Sequence, residues 1–440
     1  MKSCIIIGAG LAGLAAAYRL KKRKKPQWDV KVVEARSEVG GRVFSHWFKQ
    51  EPSLVCELGA EWIGTSHDSM RRLCKEFHLP LQKHQFGYRF SVGGRPSKLY
   101  RPGDWSFSAK AEKKFNDFGD EFKKVSKDSA ARNRALDRLD WWSKLRELDF
   151  SRQELERRDL MDSTDSGESI RHASAYSAAA EYFPTDGNKT DEMDDKICGG
   201  NILLPRALAR FIGEENIFRG SKVSEIWHAK HQVFVRFPGH KPLQADFCIC
   251  TVPARSLTRI EFHPRLPREH VAAAEQLQYC RIMKTAVLYP SRFWGPEKDL
   301  GFSVFTSGVS DFCFHSTFRQ QGQRGILCSY AVGDKADDLA SEPKDKVAGW
   351  ITQDVASVVG SEPGKYIDLK KCAWQEDDYT QGAYAFYRPG QWFTIRPILK
   401  RPHHRVFFAG EHLADEQGFM EGAVDSGEKA AGAVIRRAGP

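Results

Sequence analysis

Three glycines near the start of the chain have the spacing of a phosphate-binding turn, Gly8-x-Gly10-x-x-Gly13. In this pattern the first glycine makes a tight turn and the second lets the backbone approach a pyrophosphate. The third lets a helix pack closely on a strand. Free N–H groups at the start of that helix favour an anion. The pattern therefore predicts a nucleotide site at residues 8–13.

An acid and two arginines extend this pattern. Glu34 lies 21 residues after Gly13 (34 − 13), where a carboxylate can accept hydrogen bonds from both ribose hydroxyls and repel a 2′-phosphate. Arg36 and Arg42 follow at once and can supply positive charge to a pyrophosphate. Either arginine alone would be an ordinary surface residue beside a turn. Together they make the pattern longer than that of nicotinamide-binding domains.

The elements that must position these residues follow from the hydrophobic pattern. We predict buried parallel strands at 3–7 and 29–34 and a helix at 11–20 between them. A second helix is predicted at 66–78, with Ser66 as its cap. The chain closes with a strand at 405–409 and a helix at 421–436. Because similar elements open and close the chain, we predict one domain built from both ends and a second domain inserted into it.

The middle of the chain has a different composition. Residues 108–175 are rich in charge and carry aromatic residues at helical spacing, which predicts several amphipathic surface helices with a polar loop at 162–168. A helix is predicted to end near Phe211. Further strands are predicted at 223–237, 243–252, 285–289, 301–305 and 325–332.

Composition excludes several classes of protein. The 440 residues are 41% hydrophobic and 28% charged, which is typical of a folded globular chain. The net charge of +10 is dispersed, and no basic stripe with interleaved aromatics predicts a nucleic-acid groove. The longest uncharged apolar run near the start, 4–18, is too short and glycine-rich to span a membrane.

The ten cysteines and the start of the chain indicate whether a metal is expected and in which compartment the protein is located. No cysteine pair is spaced CxxC and no histidine cluster completes a zinc pattern, so no metal is expected. Cys248 and Cys250 are interpreted as small buried hydrophobes. Scattered cysteines fit free thiols in a reducing compartment. Because the first strand begins near Ser3, no secretory leader is expected, and we predict a cytoplasmic location.

Five ordered motifs resemble the flavin amine oxidase family, which includes monoamine, polyamine and L-amino-acid oxidases. The first is Val33-Glu-Ala-Arg-x-x-x-Gly-Gly-Arg42. The others are Glu57-Leu-Gly-Ala-Glu-Trp-Ile63, Gly199-Gly200 with Pro205-Arg-Ala-Leu-Ala209, Thr251-Val-Pro253, and Phe407-Phe-Ala-Gly-Glu411-His followed by 418–428. The resemblance covers nearly the whole chain. It implies an α/β fold in which a Rossmann-like FAD-binding domain of the glutathione-reductase type (1–78, 199–273 and 377–440) interleaves with an α+β substrate-binding domain (79–198 and 274–376), a mixed sheet flanked by helices.

The resemblance also implies FAD as cofactor. Its adenosine and pyrophosphate end would contact Gly8, Gly10, Leu11, Ala12, Gly13, Glu34, Ala35, Arg36, Gly41, Arg42 and Val223. Its ribityl chain and flavin ring would contact Gly59, Ala60, Glu61, Trp62, Gly410, Glu411, Gly418, Phe419 and Met420. The last helix would point its N-terminus at the ring and stabilise negative charge there. Monoamine oxidases link flavin through a cysteine at the position of Ala383, so non-covalent FAD is expected.

Three residues are implied to be catalytic. Lys284 stands in an apolar strand, and a lysine at the matching family position holds a water beside the flavin. Tyr384 and Phe419 match the two walls of the family's aromatic cage, which would hold an amine between them. Trp374 is predicted to contact substrate, with core packing an equal alternative.

We predict oxidation of an L-amino acid to a 2-oxo acid, with O2 as acceptor and ammonia and H2O2 as products. The run 379–387 favours this, because it resembles bacterial amino-acid oxidases. Trp62, however, stands where one subtype has its carboxylate-binding arginine, so Arg388 or Arg396 would have to serve. Glu61 could instead bind a cationic group or only hydrogen-bond locally. A monoamine or polyamine oxidase and a catalytically silent flavin-binding relative stay open. The charged segment 108–175 could form either a gated entrance or the surface of a homodimer.

Overall fold

The computed structural model describes residues 1–101, 107–125, 129–183, 195–295, 300–361 and 363–439. Short 3₁₀ turns occur at Glu214–Asn216, Trp374–Glu376 and Glu411–Leu413. The helices of the described residues are α1 Leu11–Lys21, α2 Asp68–Glu76, α3 Ala109–Val125, α4 Ala130–Asp137, α5 Trp141–Glu147, α6 Arg152–Ser166, α7 Ala175–Tyr182, α8 Leu203–Ile212, α9 Ala254–Leu257, α10 Arg268–Gln276, α11 Gly333–Ser341, α12 Lys344–Val359, α13 Ile395–Leu399 and α14 Met420–Ala438.

The strands of the same part of the chain are mostly short. They are β1 Lys2–Ile7, β2 Trp28–Val33, β3 Ser45–Phe48, β4 Glu51–Glu57, β5 Leu81–Lys83, β6 Phe86–Val92, β7 Arg95–Pro96, β8 Asp195–Ile197, β9 Ile217–Phe218, β10 Glu225–Ala229, β11 Gln232–Arg236, β12 Leu243–Ala245, β13 Phe247–Cys250, β14 Glu261–His263, β15 Gln278–Tyr279, β16 Ile282–Tyr289, β17 Gly301–Thr306, β18 Phe312–His315, β19 Gly325–Val332, β20 Asp368–Ala373, β21 Ala385–Phe386 and β22 Val406–Phe408.

A five-stranded parallel sheet carries the glycine turn. Its order is β22-β13-β1-β2-β9, so both ends of the chain contribute to it, as predicted. The strands are apolar because parallel strands are covered on both faces. Helices α1 and α14 pack together so closely that a Cβ on Gly427 would lie 2.0 Å from the carbonyl oxygen of Ala12. The predicted α/β class with a parallel sheet is confirmed.

A mixed seven-stranded sheet forms the second layer, with the order β20-β16-β19-β18-β17-β6-β7. Its neighbours are antiparallel except β17 and β6, which run parallel. Buried residues of α11 and α12 share an apolar cluster with β16, β17 and β19. All of its strands fall in the segments predicted for the inserted domain, although the exact domain boundaries stay a prediction.

The predicted polar loop at 162–168 is wrong, because α6 continues to Ser166 and ends at Gly167 in the left-handed conformation. A capping box of Ser151 and Glu154 begins this helix. Its polar residues turn inward rather than to solvent: Asp162 is fully buried and accepts a hydrogen bond from Trp141 Nε1 at 2.7 Å. The polar residues that predicted a loop at 162–168 therefore belong to a buried hydrogen-bond network.

Two further predictions are corrected. The continuous strand at 223–237 is a hairpin of β10 and β11, paired antiparallel. Ser66 does not cap α2, which begins at Asp68. The carboxylate of Glu421, from the far end of the chain, instead accepts the N–H groups of Ser69 and Met70 at 2.9 and 2.8 Å. A tertiary partner has replaced the local cap.

The described residues contain no helix long and apolar enough to cross a membrane. Within the same ranges, no group of three or more His, Cys, Asp or Glu side chains is placed to hold a metal ion. The ten cysteines are free thiols, and Cys248 and Cys250 are fully buried as predicted.

Candidate active site

A cavity of about 1420 Å³ brings the glycine turn and the mixed sheet to one place. Its lining includes all but one of the predicted cofactor-binding and catalytic residues: Gly8, Gly10, Leu11, Ala12, Glu34, Ala35, Arg36, Gly41, Arg42, Gly59, Ala60, Glu61, Trp62, Val223, Lys284, Trp374, Tyr384, Gly410, Glu411, Gly418, Phe419 and Met420. Gly13 is outside the lining. Arg396 lines the cavity, whereas Arg388 does not.

The glycines of the turn have different physical roles. Gly8 has a φ of +101°, which a side chain rarely adopts. A Cβ on Gly13 would lie 2.0 Å from the carbonyl oxygen of Gly8, so this glycine permits the contact of helix α1 with the turn. A Cβ on Gly10 would meet no atom closer than 4.0 Å. Gly10 therefore leaves open space on the cavity wall.

Glu34 is anchored directly against the turn. Its buried carboxylate accepts the N–H of Ala9 at 2.6 Å and that of Arg36 at 2.8 Å. Burial raises the pKa of Glu34, although these two backbone bonds counteract it. The acid at the end of β2 is thus held at the edge of the cavity where the ribose of a nucleotide was predicted.

Both predicted phosphate-binding arginines are held by carboxylates. Arg36 Nη2 lies 2.6 Å from Asp377 Oδ1, and its guanidinium stacks 4.9 Å from the ring centre of Tyr379. Arg42 Nη1 lies 2.6 Å from Glu411 Oε1. A guanidinium has five donors, so each arginine keeps donors for an anion.

Glu411 ties the two ends of the chain together inside the cavity. Besides Arg42, it accepts the N–H of Gly418 at 3.0 Å. Burial by itself raises the pKa of Glu411, but the charge and hydrogen bond of Arg42, the charge of His412 and the N–H of Gly418 together hold the pKa below its ordinary value. Glu411 is therefore an ionised partner that fixes Arg42 in place.

Lys284 is buried in the wall made by β16. Its ammonium donates to Glu61 Oε2 at 2.5 Å and to the carbonyl oxygens of Gly59 and Glu57 at 3.0 and 3.3 Å. Burial lowers the pKa of Lys284, but the charge and the hydrogen bond of Glu61, together with other neighbouring groups, raise the pKa above its ordinary value. A charged ammonium thus stands at the cavity, held by the 57–61 segment.

Glu57 is a second buried carboxyl in this wall. It accepts from Ser45 Oγ at 2.8 Å and from the N–H of Asn201 at 2.9 Å. Burial raises its pKa from the ordinary 4.5 to about 7. Glu57 therefore takes up a proton within the physiological pH range.

Replacing Glu57 with glutamine is expected to remove a pH dependence of stability. A carboxyl whose folded pKa is raised holds its proton more tightly in the folded state, so stability falls as pH rises from about 4.5 through 7. The full loss is about 3 kcal/mol. Urea unfolding of the apoprotein at pH 5 and pH 8 measures it. Between pH 5 and pH 8 the wild type should lose about 3 kcal/mol more stability than Glu57→Gln does; equal losses would contradict this interpretation.

The two predicted cage residues, Tyr384 and Phe419, also line the cavity. The hydroxyl of Tyr384 donates to the backbone carbonyls of Asp165 and Thr164 on α6. Its ring packs on Gly418, where a Cβ would lie 2.8 Å from Tyr384 Cδ2, and Phe419 follows at once. Tyr384 and Phe419 therefore come together at one face of the cavity.

Trp374 both packs in the protein interior and lines the cavity. Its buried indole N–H donates to the carbonyl oxygen of Leu58 at 2.8 Å. Trp62 lies within an aromatic wall, with ring centres 5.3 Å from Phe86 and 5.7 Å from Phe314. This wall offers apolar surface rather than a cation.

Sequence reasoning missed Lys196, Asn201 and Arg158. Lys196 pairs with Glu61, and Asn201 donates its side-chain amide to the carbonyl of Glu61 at 2.8 Å. Arg158 lines the cavity and pairs with Asp162 at 2.8 Å. Lys196 carried a weak signal, a lysine immediately before the apolar residues that lead into Gly199-Gly200. Arg158 carried none, since it reads as one charge of a surface helix.

Comparison with known proteins agrees with this geometry. The family model described as flavin-containing amine oxidoreductase matches residues 11–435. The chain belongs to this family. It is therefore a flavin-dependent amine oxidoreductase.

Among curated proteins, an L-amino-acid oxidase of Siganus canaliculatus is 27% identical over 97% of this chain and 84% of its own length. An L-amino-acid oxidase of Mus musculus is 28% identical, over 97% of this chain and 70% of its own. Solved structures share the fold: wild-type putrescine oxidase bound to putrescine has a TM-score of 0.85 at 22% identity, covering 99% of both chains. Cyclohexylamine oxidase from Brevibacterium oxydans IH-35A has 0.83 at 21% identity, covering 100% of both.

The residues of the cavity fit the FAD that the family carries. The side-chain-free space at Gly10, the open start of α1 and the acid Glu34 suit the adenosine and pyrophosphate of a dinucleotide. Arg36 and Arg42 add positive charge nearby. The start of α14 and the 57–62 segment line the same cavity and would border the ring.

Proposed function

We propose that this enzyme oxidises an L-amino acid to the imino acid, which water hydrolyses to the 2-oxo acid and ammonia. O2 is the proposed final electron acceptor and H2O2 its product. The L-amino-acid oxidase relatives support this substrate class. Bound FAD supplies the two-electron acceptor. The chain itself binds and orients the substrate and excludes water from the cavity.

The observation that carries the substrate class is a buried guanidinium with a spare donor. Arg396 is 9% exposed and lines the cavity, and among the described residues its Nε has no hydrogen-bond acceptor. Its Nη2 pairs with Asp415, in the loop that leads to Phe419. An arginine in the cavity lining is suited to a substrate carboxylate. We therefore propose Arg396 as the carboxylate anchor.

The amine end would lie between Tyr384 and Phe419, with the aromatic faces directing its carbon–hydrogen bond into the cavity. Lys284 lines the same cavity and holds its proton firmly because its ammonium contacts Glu61. Lys284 is thus suited to stabilise negative charge or to hold a water at its ammonium. The same geometry serves an amino acid or a simple amine.

A primary-amine oxidase is the second proposal, and the Trp62 wall favours it. That wall places three aromatic rings where one subtype of amino-acid oxidase has an arginine. Both carboxylate oxygens of Glu61 are already paired with lysine ammonium groups. A substrate cation would therefore have to displace one of the two lysines. A contact between Glu61 and the substrate stays a prediction. With both of its oxygens already paired, Glu61 favours a cationic substrate less than the sequence indicated.

A peroxidase-coupled H2O2 assay with the twenty L-amino acids and a panel of primary amines and diamines tests the proposal. Acid precipitation of the same preparation should release FAD into the supernatant, since Ala383 offers no linking thiol, and the released FAD gives the active-site concentration. We expect H2O2 from at least one amino acid. H2O2 from amines alone would support the second proposal, and yellow protein that no substrate bleaches would identify a silent relative.

Arg396→Leu separates the two substrate classes. For an amino acid, loss of the anchor is expected to raise KM about tenfold or more, while an amine should be unaffected. Arg388→Leu is the matched control, because Arg388 lies outside the cavity lining. A cytoplasmic location and a homodimer remain further proposals, for which cell fractionation and light scattering are the tests.

A further inference from the structure

A buried row of three charged side chains extends from the cavity wall into the protein. Glu61 Oε1 lies 2.5 Å from Lys196 Nζ, and Glu61 Oε2 lies 2.5 Å from Lys284 Nζ. All three residues are less than a tenth exposed: Glu61 at 4%, Lys284 at 6% and Lys196 at 9%. One carboxylate therefore serves two lysines, one on each oxygen.

Lys196 differs from Lys284 in its place. Lys284 and Glu61 line the cavity, whereas Lys196 lies behind them. Its ammonium also donates to the carbonyl of Ser316 at 3.2 Å and stands 4.5 Å from the ring centre of Trp62. Strand β8, which carries Lys196, pairs with β5 and is fixed by the ion pair of Asp195 with Arg71. Lys196 is thus held from three sides in a fixed position.

The row carries a surplus positive charge, since two ammonium groups face one carboxylate. Buried charges are costly unless paired, so an unbalanced row marks a place where positive charge is useful. Glu57 lies beside it, and because burial raises its pKa to about 7, it balances the surplus only as pH rises through that value.

The histidines, cysteines and tyrosine packed against the row are uncharged at neutral pH. Burial lowers the pKa of His84 well below its ordinary value and that of His315 to about 3. Burial likewise raises the pKa of the Cys56, Cys328 and Cys372 thiols and of the Tyr330 hydroxyl, so these stay protonated. Arg319 and Arg292 add positive charge from the side of the two histidines, and Asp195 is neutralised by Arg71.

We propose that Lys196 is a positioning residue for the oxidase reaction. By holding one oxygen of Glu61, it aims the other oxygen at Lys284 and keeps Glu61 from binding a substrate ammonium. It also leaves a net positive charge behind the cavity wall, where it favours negative charge that develops in the cavity during oxidation. This role rests on the proposed oxidase function.

Lys196→Met tests the role in the holoenzyme. We expect kcat to fall about tenfold while KM changes less than about twofold, because the substrate does not touch Lys196. The midpoint potential of the bound flavin should become more negative, since a nearby cation is lost. Lys196→Arg keeps the charge and should restore kcat to within about threefold of the wild type.

A titration of Lys284 provides a readout that needs no turnover. Competitive acetylation of the substrate-free holoenzyme at a series of pH values, read by mass spectrometry, reports the pKa of each lysine. Removing a like charge should raise the apparent pKa of Lys284 in Lys196→Met and leave it unchanged in Lys196→Arg. If no substrate is found for the enzyme, the titration and the potential still decide the role of Lys196.

Lys335→Met is the matched control, because Lys335 pairs with Asp311 at 2.9 Å and donates to the carbonyl of Ser310 outside the cavity. This variant should change neither the potential nor the Lys284 titration. A folded Lys196→Met with the wild-type rate, potential and titration would overturn the proposal. If that variant fails to fold, the wild type decides: Lys196 must be acetylated as slowly as Lys284, and labelling at the rate of a surface lysine refutes the role.

Discussion

Lys284→Met is expected to slow flavin reduction or reoxidation about tenfold or more. The substitution removes the ammonium from the cavity wall but keeps an unbranched side chain of similar length. Glu61 retains Lys196 as a partner, so no buried carboxylate is left without a cation. The protein should therefore fold and bind FAD. Anaerobic stopped-flow mixing with substrate, followed by mixing of the reduced enzyme with O2, measures the two half-reactions separately.

The control for this variant is Lys371→Met on the neighbouring strand β20. Lys371 sends its ammonium to the carbonyls of Ala340 and Glu342, outside the cavity lining. Both half-reactions of this control should run at the wild-type rate. Wild-type rates in both half-reactions of Lys284→Met would remove Lys284 from the catalytic machinery.

Gly13→Ala and Gly10→Ala are expected to fail in different ways. At Gly13 the new Cβ would lie 2.0 Å from the carbonyl of Gly8, so the backbone must shift, and we expect a loss of about 3 kcal/mol of unfolding free energy. At Gly10 the new Cβ meets no protein atom closer than 4.0 Å, so the apoprotein should keep its stability. The methyl group would instead occupy the space that Gly10 leaves open on the cavity wall and lower FAD affinity about tenfold or more.

Two measurements separate these effects. Urea unfolding of the apoproteins should show a loss only for Gly13→Ala, and flavin-fluorescence titration should show weakened binding for Gly10→Ala. Gly349→Ala provides a background value, because that helical glycine has nothing within 4 Å of an added Cβ. Undiminished FAD affinity in Gly10→Ala would show that the cofactor does not approach this glycine.

Local patterns predicted the nucleotide half of the molecule well. The apolar runs around the glycine turn became β1, α1 and β2, and Glu34 stands at the end of β2 against the turn. These elements could be read because a buried parallel strand must be apolar along its length and a tight turn needs glycine. The family motifs then located the residues that line the cavity.

Predictions failed where a distant residue replaced a local rule. Ser66 was expected to cap α2, but Glu421 satisfies the N–H groups of that helix. The polar end of α6 read as a loop because nothing local shows that Asp162 contacts Trp141. The partners lie 352 and 21 residues apart in the respective cases, so no short pattern contains both.

The sequence by itself determined the class of fold, the family and a set of residues that line the cavity, because these depend on hydrophobic pattern, glycine spacing and ordered motifs. Only the tertiary structure decided which charges neutralise one another. Glu61 pairs with two lysines that are 135 and 223 residues away from it, and the buried Nε of Arg396 has no hydrogen-bond acceptor among the described residues. Charge pairing depends on distances of a few ångströms between remote segments, and those distances exist only after the chain has folded.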